Sequence, residues 1–453
     1  MKTDNLKEDA IDLATLNVSV LFRKYFVPTL LGMLSISAVT AIDGIFVGQS
    51  VGSDGIAAIN IFAPMFMIFT GIGLMAGIGC SVVASIHLAK GKTKVARLNV
   101  TQAMAFVTLV ALLFIAFMTA FPETTVRLLG ASEHLLPLVT DYMLWYLPAI
   151  LFQMWISVSL FIIRLDDSPR VAMWCSLISA VANIVLDYVF IFPLGWGVRG
   201  ASFATAISTV IGGLIAIGYL LFFARHLRLI RLKMSVKSIR LSIRNIGYQC
   251  HIGSSALLGE ATMALLMFMG NLVFMKYLGD NGVGAFGIAC YYMPFVFMVG
   301  NAIAQSAQPI ISYNFGRGLH ERVYATERIA LTTAVVCGLL VMGLFIGVPH
   351  VLVGLFLNPA DAAAQIAING LPYFATGFIF FILNLTVVGY FQSIEKVKPA
   401  TFFALSRGLI CLVPSFLLMP MMAGTPGIWL AMPVSEFLTS LAILGFHFVS
   451  GRK

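Results

Sequence analysis

The sequence predicts an all-α, polytopic membrane protein: 12 transmembrane helices in two pseudo-twofold six-helix bundles. Three observations carry this. Hydrophobic residues make up 60% of the 453-residue chain and charged ones only 10%, well below the ~25% of a soluble domain. Mean hydropathy is +0.96. The apolar stretches are long and continuous, not alternating over about 10 residues, which excludes a transmembrane β-barrel. The chain also repeats its punctuation at half its length.

Taken in order, residues 1–24 hold Asp4, Glu8, Asp9, Asp12, Arg23 and Lys24. They are too acidic for a signal peptide and read as a short amphipathic helix on the cytoplasmic face. Apolar windows long enough to cross a bilayer then fall at 25–49, 56–88, 100–121, 136–163, 171–192 and 201–223. A basic stretch follows. Six more windows fall at 247–275, 284–314, 329–348, 363–392, 400–421 and 428–449. The expected organisation is an N-terminal segment (1–24), a first lobe (25–224), a basic cytoplasmic linker (225–246) and a second lobe (247–453).

Sidedness follows from Lys and Arg. One side collects Lys90, Lys92, Lys94, Arg97, Arg164, Arg170, the run Arg225, Arg228, Arg231, Lys233, Lys237, Arg240 and Arg244, then Arg317, Arg322, Lys396, Lys398, Arg452 and Lys453. The other has Arg127, Arg199 and Lys276. The rich side is read as cytoplasmic, with both termini on it. The net charge of +9 would suggest nucleic acid in a soluble protein. Here it sits in loops and reports topology, so no nucleic-acid partner is expected. The run Arg225–Arg244 could serve a lipid headgroup, but reads first as the linker between halves.

A shift of 227 brings Gly52, Gly55, Gly91, Pro122 and Tyr146 onto Gly279, Gly282, Gly318, Pro349 and Tyr373. Six crossings per half make both halves enter from the same side. Their symmetry axis then runs along the membrane normal, the architecture of transporters that work by rocking one half against the other.

An ionised side chain near the bilayer centre costs at least about 2.5–3.5 kcal/mol, so in-span charges are candidates for function: Asp43, Asp187, Glu260, Arg407 and Glu436. Asp141 lies nearer a span end. Counting inward at 1.5 Å per residue puts Asp43, Asp187 and Thr205 at a common depth, roughly 9–12 Å below the outer surface. Asn183 precedes Asp187 by four residues and shares its helix face. The expected cluster is two carboxylates, an amide and a hydroxyl. Two carboxylates in low dielectric cannot comfortably both ionise, and a proton or an oxygen-ligated Na⁺ relieves the repulsion. In the second half, Arg407 between Glu260 and Glu436 reads as a structural ion pair, with Glu260 open to either a structural or a functional role. Pro28 lies about 15 residues before Asp43 on the first helix and could bend it.

Other chemistry is unsupported. The six cysteines include no C-x-x-C pair. Gly91-Lys92-Thr93 imitates the end of a phosphate loop, but Ile86 stands where that loop needs its first Gly. His87, His251 and His350 have no partners at useful spacing, so no enzyme is expected. The 36 Phe and 22 Met residues suit a promiscuous apolar pocket.

Three strings together resemble one family: Asp43-Gly-Ile-Phe-Val-Gly-Gln; Asn183-Ile-Val-Leu-Asp187 followed by Gly197-Val-Arg-Gly-Ala-Ser-Phe-Ala-Thr205; and Gln308-Pro-Ile-Ile-Ser-Tyr-Asn-Phe-Gly316. They are similar to the multidrug and toxic compound extrusion (MATE) family, in its DinF-type branch. The resemblance implies a monomeric, multi-pass exporter in the bacterial inner membrane. It would carry cationic or amphiphilic drugs outward against inward H⁺ or Na⁺, with no other cofactor. In that branch the coupling residues match Asp43, Asn183, Asp187 and Thr205, and the first-helix proline matches Pro28. A second branch uses acids on the seventh and tenth helices; here Glu260 is present, but the tenth offers only Asn384. The rival within transport is a flippase for a lipid-linked precursor. It would need a larger basic cavity, whereas Arg407 is the only deep in-span cation.

Overall fold

The structure, a computed structural model, describes residues 13–51, 53–129, 131, 133–232 and 235–450. Residues 1–12, Gly52, Lys233, Arg452 and Lys453, all named above, lie outside the described residues. Among the described residues every regular element is helical.

The first six crossings are α1 (Val18–Val51), α2 (Ser53–Ala89), α3 (Thr93–Ala120), α4 (Leu136–Leu165), α5 (Pro169–Ile191) and α6 (Gly197–Gly218, continued by a π turn over Tyr219–Phe223). The next are α7 (Val236–Gly279), α8 (Asn281–Gly316) and α9 (His320–Gly347). The tenth, α10, is a bent pair, Ala362–Ala375 and Phe378–Ser393, meeting at 46°. The apolar stretch Val397–His447 has 51 residues, about 76 Å of helix against a ~30 Å hydrocarbon core. It breaks at Gly424 (φ 61°, ψ −138°), a left-handed conformation that glycine adopts without a Cβ clash. It is therefore two crossings, α11 (397–423) and α12 (425–450), and the total is twelve. The same device separates α7 from α8 at Gly279 (φ 64°). Short helices Pro122–Leu128 and Pro349–Gly354 begin at prolines that the 227-residue shift superposes.

The chain forms two compact units. One holds Met1–Leu257 with Pro309–Val323, the other Leu258–Gln308 with Tyr324–Lys453. The N-terminal part of α7 and the C-terminal end of α8 thus pack with the first six helices. Helix α7 starts at Val236, within the stretch expected as linker, because its basic residues share one face while polar side chains on another dock onto α3. Asn245 Nδ2 donates to Asn99 Oδ1 (2.6 Å) and to Gln102. Gln249 Nε2 donates to Asn99 Oδ1 (2.8 Å), and Gln102 Nε2 donates to Ser242 Oγ (2.8 Å). Asn99, Gln102 and Gln249 are buried, and their amides satisfy one another. Against α2 the approach is backbone to backbone: a Cβ at Gly79 would strike the carbonyl of Gln249, and one at Gly253 that of Met75. Small residues at such crossings are how membrane helices gain contact. Gly253→Val should therefore lower the stability of the purified protein by about 1–3 kcal/mol through overpacking, read as a fall in Tm. An unchanged Tm would refute this close packing.

The loop after α6 is fixed rather than loose. Asp166, fully buried at the α4–α5 turn, accepts from the backbone N–H groups of Arg225 (2.7 Å), His226 (2.7 Å) and Leu227 (3.0 Å) and from the Tyr219 hydroxyl (2.9 Å).

Candidate functional site

The site of the first unit rests on a run of packed helices: α1 lies along α5, α5 along α6, and α6 along α4, which also packs on α2. Ser179 on α5 donates to the Ser208 carbonyl on α6 (2.8 Å). Ser202 on α6 donates to the Tyr142 carbonyl on α4. These contacts set the facing positions of α4, α5 and α6 before any charge is considered.

All four residues expected to cluster do so. The carboxyls of Asp43 on α1 and Asp187 on α5 are within hydrogen-bonding reach of each other. Asn183, one turn before Asp187, donates from Nδ2 to Thr205 Oγ1 on α6 (3.3 Å), and Thr205 donates to the Ala201 carbonyl (3.0 Å). Asp187 and Asn183 are buried, while Asp43 and Thr205 are half-buried. The Asp43 carboxyl oxygen Oδ1 is itself buried, so the exposure of Asp43 does not extend to the facing oxygens.

The hydrogen-bond accounting is lopsided. Asp43 Oδ1, both carboxylate oxygens of Asp187 and Asn183 Oδ1 are buried with no donor. A carboxylate only accepts, so two of them face to face have no proton to share. Buried polar groups normally find partners, and an orphan costs about 1–3 kcal/mol, more when charged. A proton between the carboxyls would convert the contact into a hydrogen bond. A hard monovalent cation could use the same oxygen atoms, because carboxylate, amide carbonyl and hydroxyl are the oxygen donors such ions take. Among the described residues no group of three or more His, Cys, Asp or Glu side chains suits a transition metal.

One neighbour was missed by sequence reasoning. Tyr142 on α4 lies close enough to interact electrostatically with both Asp43 and Asp187. Its ring stacks on Tyr146 (centroids 6.4 Å, interplanar angle 8°), and Phe62 of α2 meets both rings edge-on at 5.5 and 5.3 Å. An aromatic wall thus adjoins the acid pair. The available signal was Tyr146, matched to Tyr373 by the repeat and one helical turn from Tyr142. Pro28 sits inside α1, which runs unbroken from Val18 to Val51.

The charges of the second unit are arranged differently. Arg407, in a π turn of α11 (Ser406–Ile410), donates to Glu436 Oε1 of α12 from Nη2 (2.9 Å) and Nε (3.2 Å). Asn384 of α10 donates to Glu436 Oε2 (2.7 Å) and to its backbone carbonyl (2.8 Å), and Ser440 donates to Asn384 Oδ1 (2.8 Å). The guanidinium lies 4.4 Å from the centroid of the Phe381 ring. Arg407 and Glu436 are each 2% exposed, and both carboxylate oxygens have donors. Arg407 thus pairs with Glu436 and not with Glu260. Glu260 on α7 is half-buried and stands apart from this network. Outside the clusters, Asp141 takes Arg199 at 2.6 Å on an exposed surface.

A profile of the MatE family matches residues 28–189 and again 256–417. The chain belongs to the MatE family. The two matches begin 228 residues apart, so this MatE protein is a duplication at close to the shift read from its glycines and prolines. It is similar to a multidrug export protein, MepA, of Staphylococcus saprophyticus, with 26% identity over 93% of this chain and 91% of that one. It is also similar to an FAD transporter of Shewanella oneidensis, with 29% identity over 65% of each chain. Two solved structures share its fold. One is a MOP superfamily transporter from Pyrococcus furiosus (TM-score 0.87, 20% identity, 97% of each chain). The other is a multidrug resistance MATE family transporter in an outward-facing conformation (TM-score 0.87, 21% identity, 97% of each chain). This MatE protein is a multi-pass membrane transporter and not an enzyme.

Proposed function

We propose that this MatE protein is a cation-coupled multidrug efflux antiporter. It exports organic cations and amphiphiles by alternating access between two six-helix lobes, as a monomer in the bacterial inner membrane with both termini cytoplasmic. The observation that carries the reading is the facing pair Asp43–Asp187, whose buried oxygens have no donor. In the outward-facing state the pair takes up H⁺ or Na⁺. The change of charge repacks α1, with Pro28 as its bending point, and lowers drug affinity beside the aromatic wall. Drug leaves outward, and the cation is released to the cytoplasm. Thermodynamic reciprocity then requires drug and cation to weaken each other's binding. The names of the MepA relatives support a drug cargo.

A polyanionic cargo, lipid-linked pyrophosphate or FAD, fits less well. The in-span cation it would need, Arg407, is already neutralised by Glu436 and sealed from solvent. Purified protein in proteoliposomes, with a pH or a Na⁺ gradient imposed separately, should move a cationic dye against one of the two. Dye movement indifferent to both gradients, or FAD movement in preference to dye, would refute the proposal.

A further inference from the structure

The first turns of α7 carry a surface that coupled transport does not use. From Arg225 to Gly259 the chain has seven Lys and Arg residues and no Asp or Glu. Within the helix, Lys237, Arg240 and Arg244 are three and seven residues apart and form one ridge. Beside it runs a second ridge of Val236, Ile239 and Ile243, with the same spacing. All six side chains are exposed, Val236 to 85% and Ile243 to 67%. None of the three basic side chains forms a hydrogen bond or ion pair with a described residue. The ridges are rigidly presented, because the face carrying Ser242, Asn245 and Gln249 is locked to Asn99 and Gln102.

Length places this surface. Helix α7 has 44 residues, about 66 Å, twice what a ~30 Å hydrocarbon core needs. With the apolar window 247–275 in the core, Arg244 lies about 5 Å and Lys237 about 15 Å beyond the hydrocarbon edge, at and just outside the headgroup layer, and their long side chains can reach back into it. Basic side chains without a described partner at that level suit the phosphate of an anionic lipid headgroup, which lies at the same depth.

We propose that the Lys237–Arg240–Arg244 ridge seats the phosphate headgroup of an anionic phospholipid of the cytoplasmic leaflet. The sidedness is that of the transport reading, but the test reads lipid binding and not transport, so the two fail separately. Full-length protein in detergent is titrated with phosphatidylglycerol or phosphatidylcholine, with bound lipid counted by native mass spectrometry and Tm followed in parallel. Each basic residue near a headgroup strengthens binding about fivefold, so the three together should favour phosphatidylglycerol on the order of 100-fold. The triple variant Lys237→Gln, Arg240→Gln, Arg244→Gln should lose that preference yet melt like wild type in phosphatidylcholine. Arg240→Lys with Arg244→Lys should keep it. The wild-type preference should also shrink as salt rises, a reading that needs no variant to fold. Equal binding of the two lipids, a preference retained by the triple variant or indifferent to salt, or equal protection by inorganic phosphate or by RNA would each overturn the proposal.

Discussion

Cells expressing Asp187→Asn should retain drug as cells without the transporter do, while holding normal amounts of the protein. The buried pair works by changing charge. Asparagine keeps the size and polarity of the side chain but cannot exchange a proton or neutralise a cation. It can also donate to Asp43, which gives that orphaned carboxylate oxygen a partner. The variant should therefore fold at least as well as wild type while losing coupled export by roughly 10- to 100-fold, the scale of a typical coupling free energy. Asp43→Asn should behave alike, because either substitution leaves a single carboxylate. Drug retention measured beside the protein level in the membrane checks both. Wild-type export from either variant would remove the acid pair from the mechanism. Wild-type melting with no export would separate its role from folding.

The second large effect is on stability. Arg407→Ala leaves Glu436 charged, 2% exposed and dependent on Asn384 alone. Breaking a buried ion pair from one side costs about 3–5 kcal/mol, enough to deplete the folded protein. Replacing both members, as in Arg407→Met with Glu436→Gln, should recover most of that loss. The exchange Arg407→Glu with Glu436→Arg should recover part of it, limited by the Phe381 ring and the Asn384 amide, which are placed for the native order. Tm of the purified variants decides this. Single substitutions that melt like wild type would show that the pair is not structural.

The two clusters show how a structural charge differs from a working one. Glu436 has a donor for each oxygen, with a guanidinium at one and an amide at the other, and the guanidinium rests against an aromatic face. Everything there is satisfied in one arrangement, which suits a fixed joint between α10, α11 and α12. The Asp43–Asp187 pair is satisfied in none without an added proton or cation, which suits a part whose state changes. In the sequence the two were told apart by Arg407 alone; the count of donors around each carboxylate shows the difference directly.

Much of the first site was legible because helical rise converts residue number into depth. Asp43, Asp187 and Thr205 could be set at one level from the span ends, and Asn183 on the face of Asp187, without any knowledge of neighbours. Tyr142 was not legible. Its nearness to the acids depends on which face α4 turns toward α1 and α5, and rotation about a helix axis leaves no trace in depth. The partner of Arg407 was likewise open, since two acids stood within plausible reach and packing selected Glu436. The N-terminal end of α7 was hidden because its basic residues resemble a soluble linker, whereas its amides are shared with Asn99 and Gln102 on a helix more than a hundred residues away.

The sequence by itself determined that this chain lives in a bilayer, crosses it twelve times and is built twice over, because the cost of exposing peptide and charge to hydrocarbon acts on each segment independently and is written locally. The tertiary structure alone decided which charges meet, which are quenched, and where the ends of α7 and α8 belong. Those outcomes depend on the azimuth and spacing of helices, which arise from side chains interlocking across the chain and not from the composition of any one stretch.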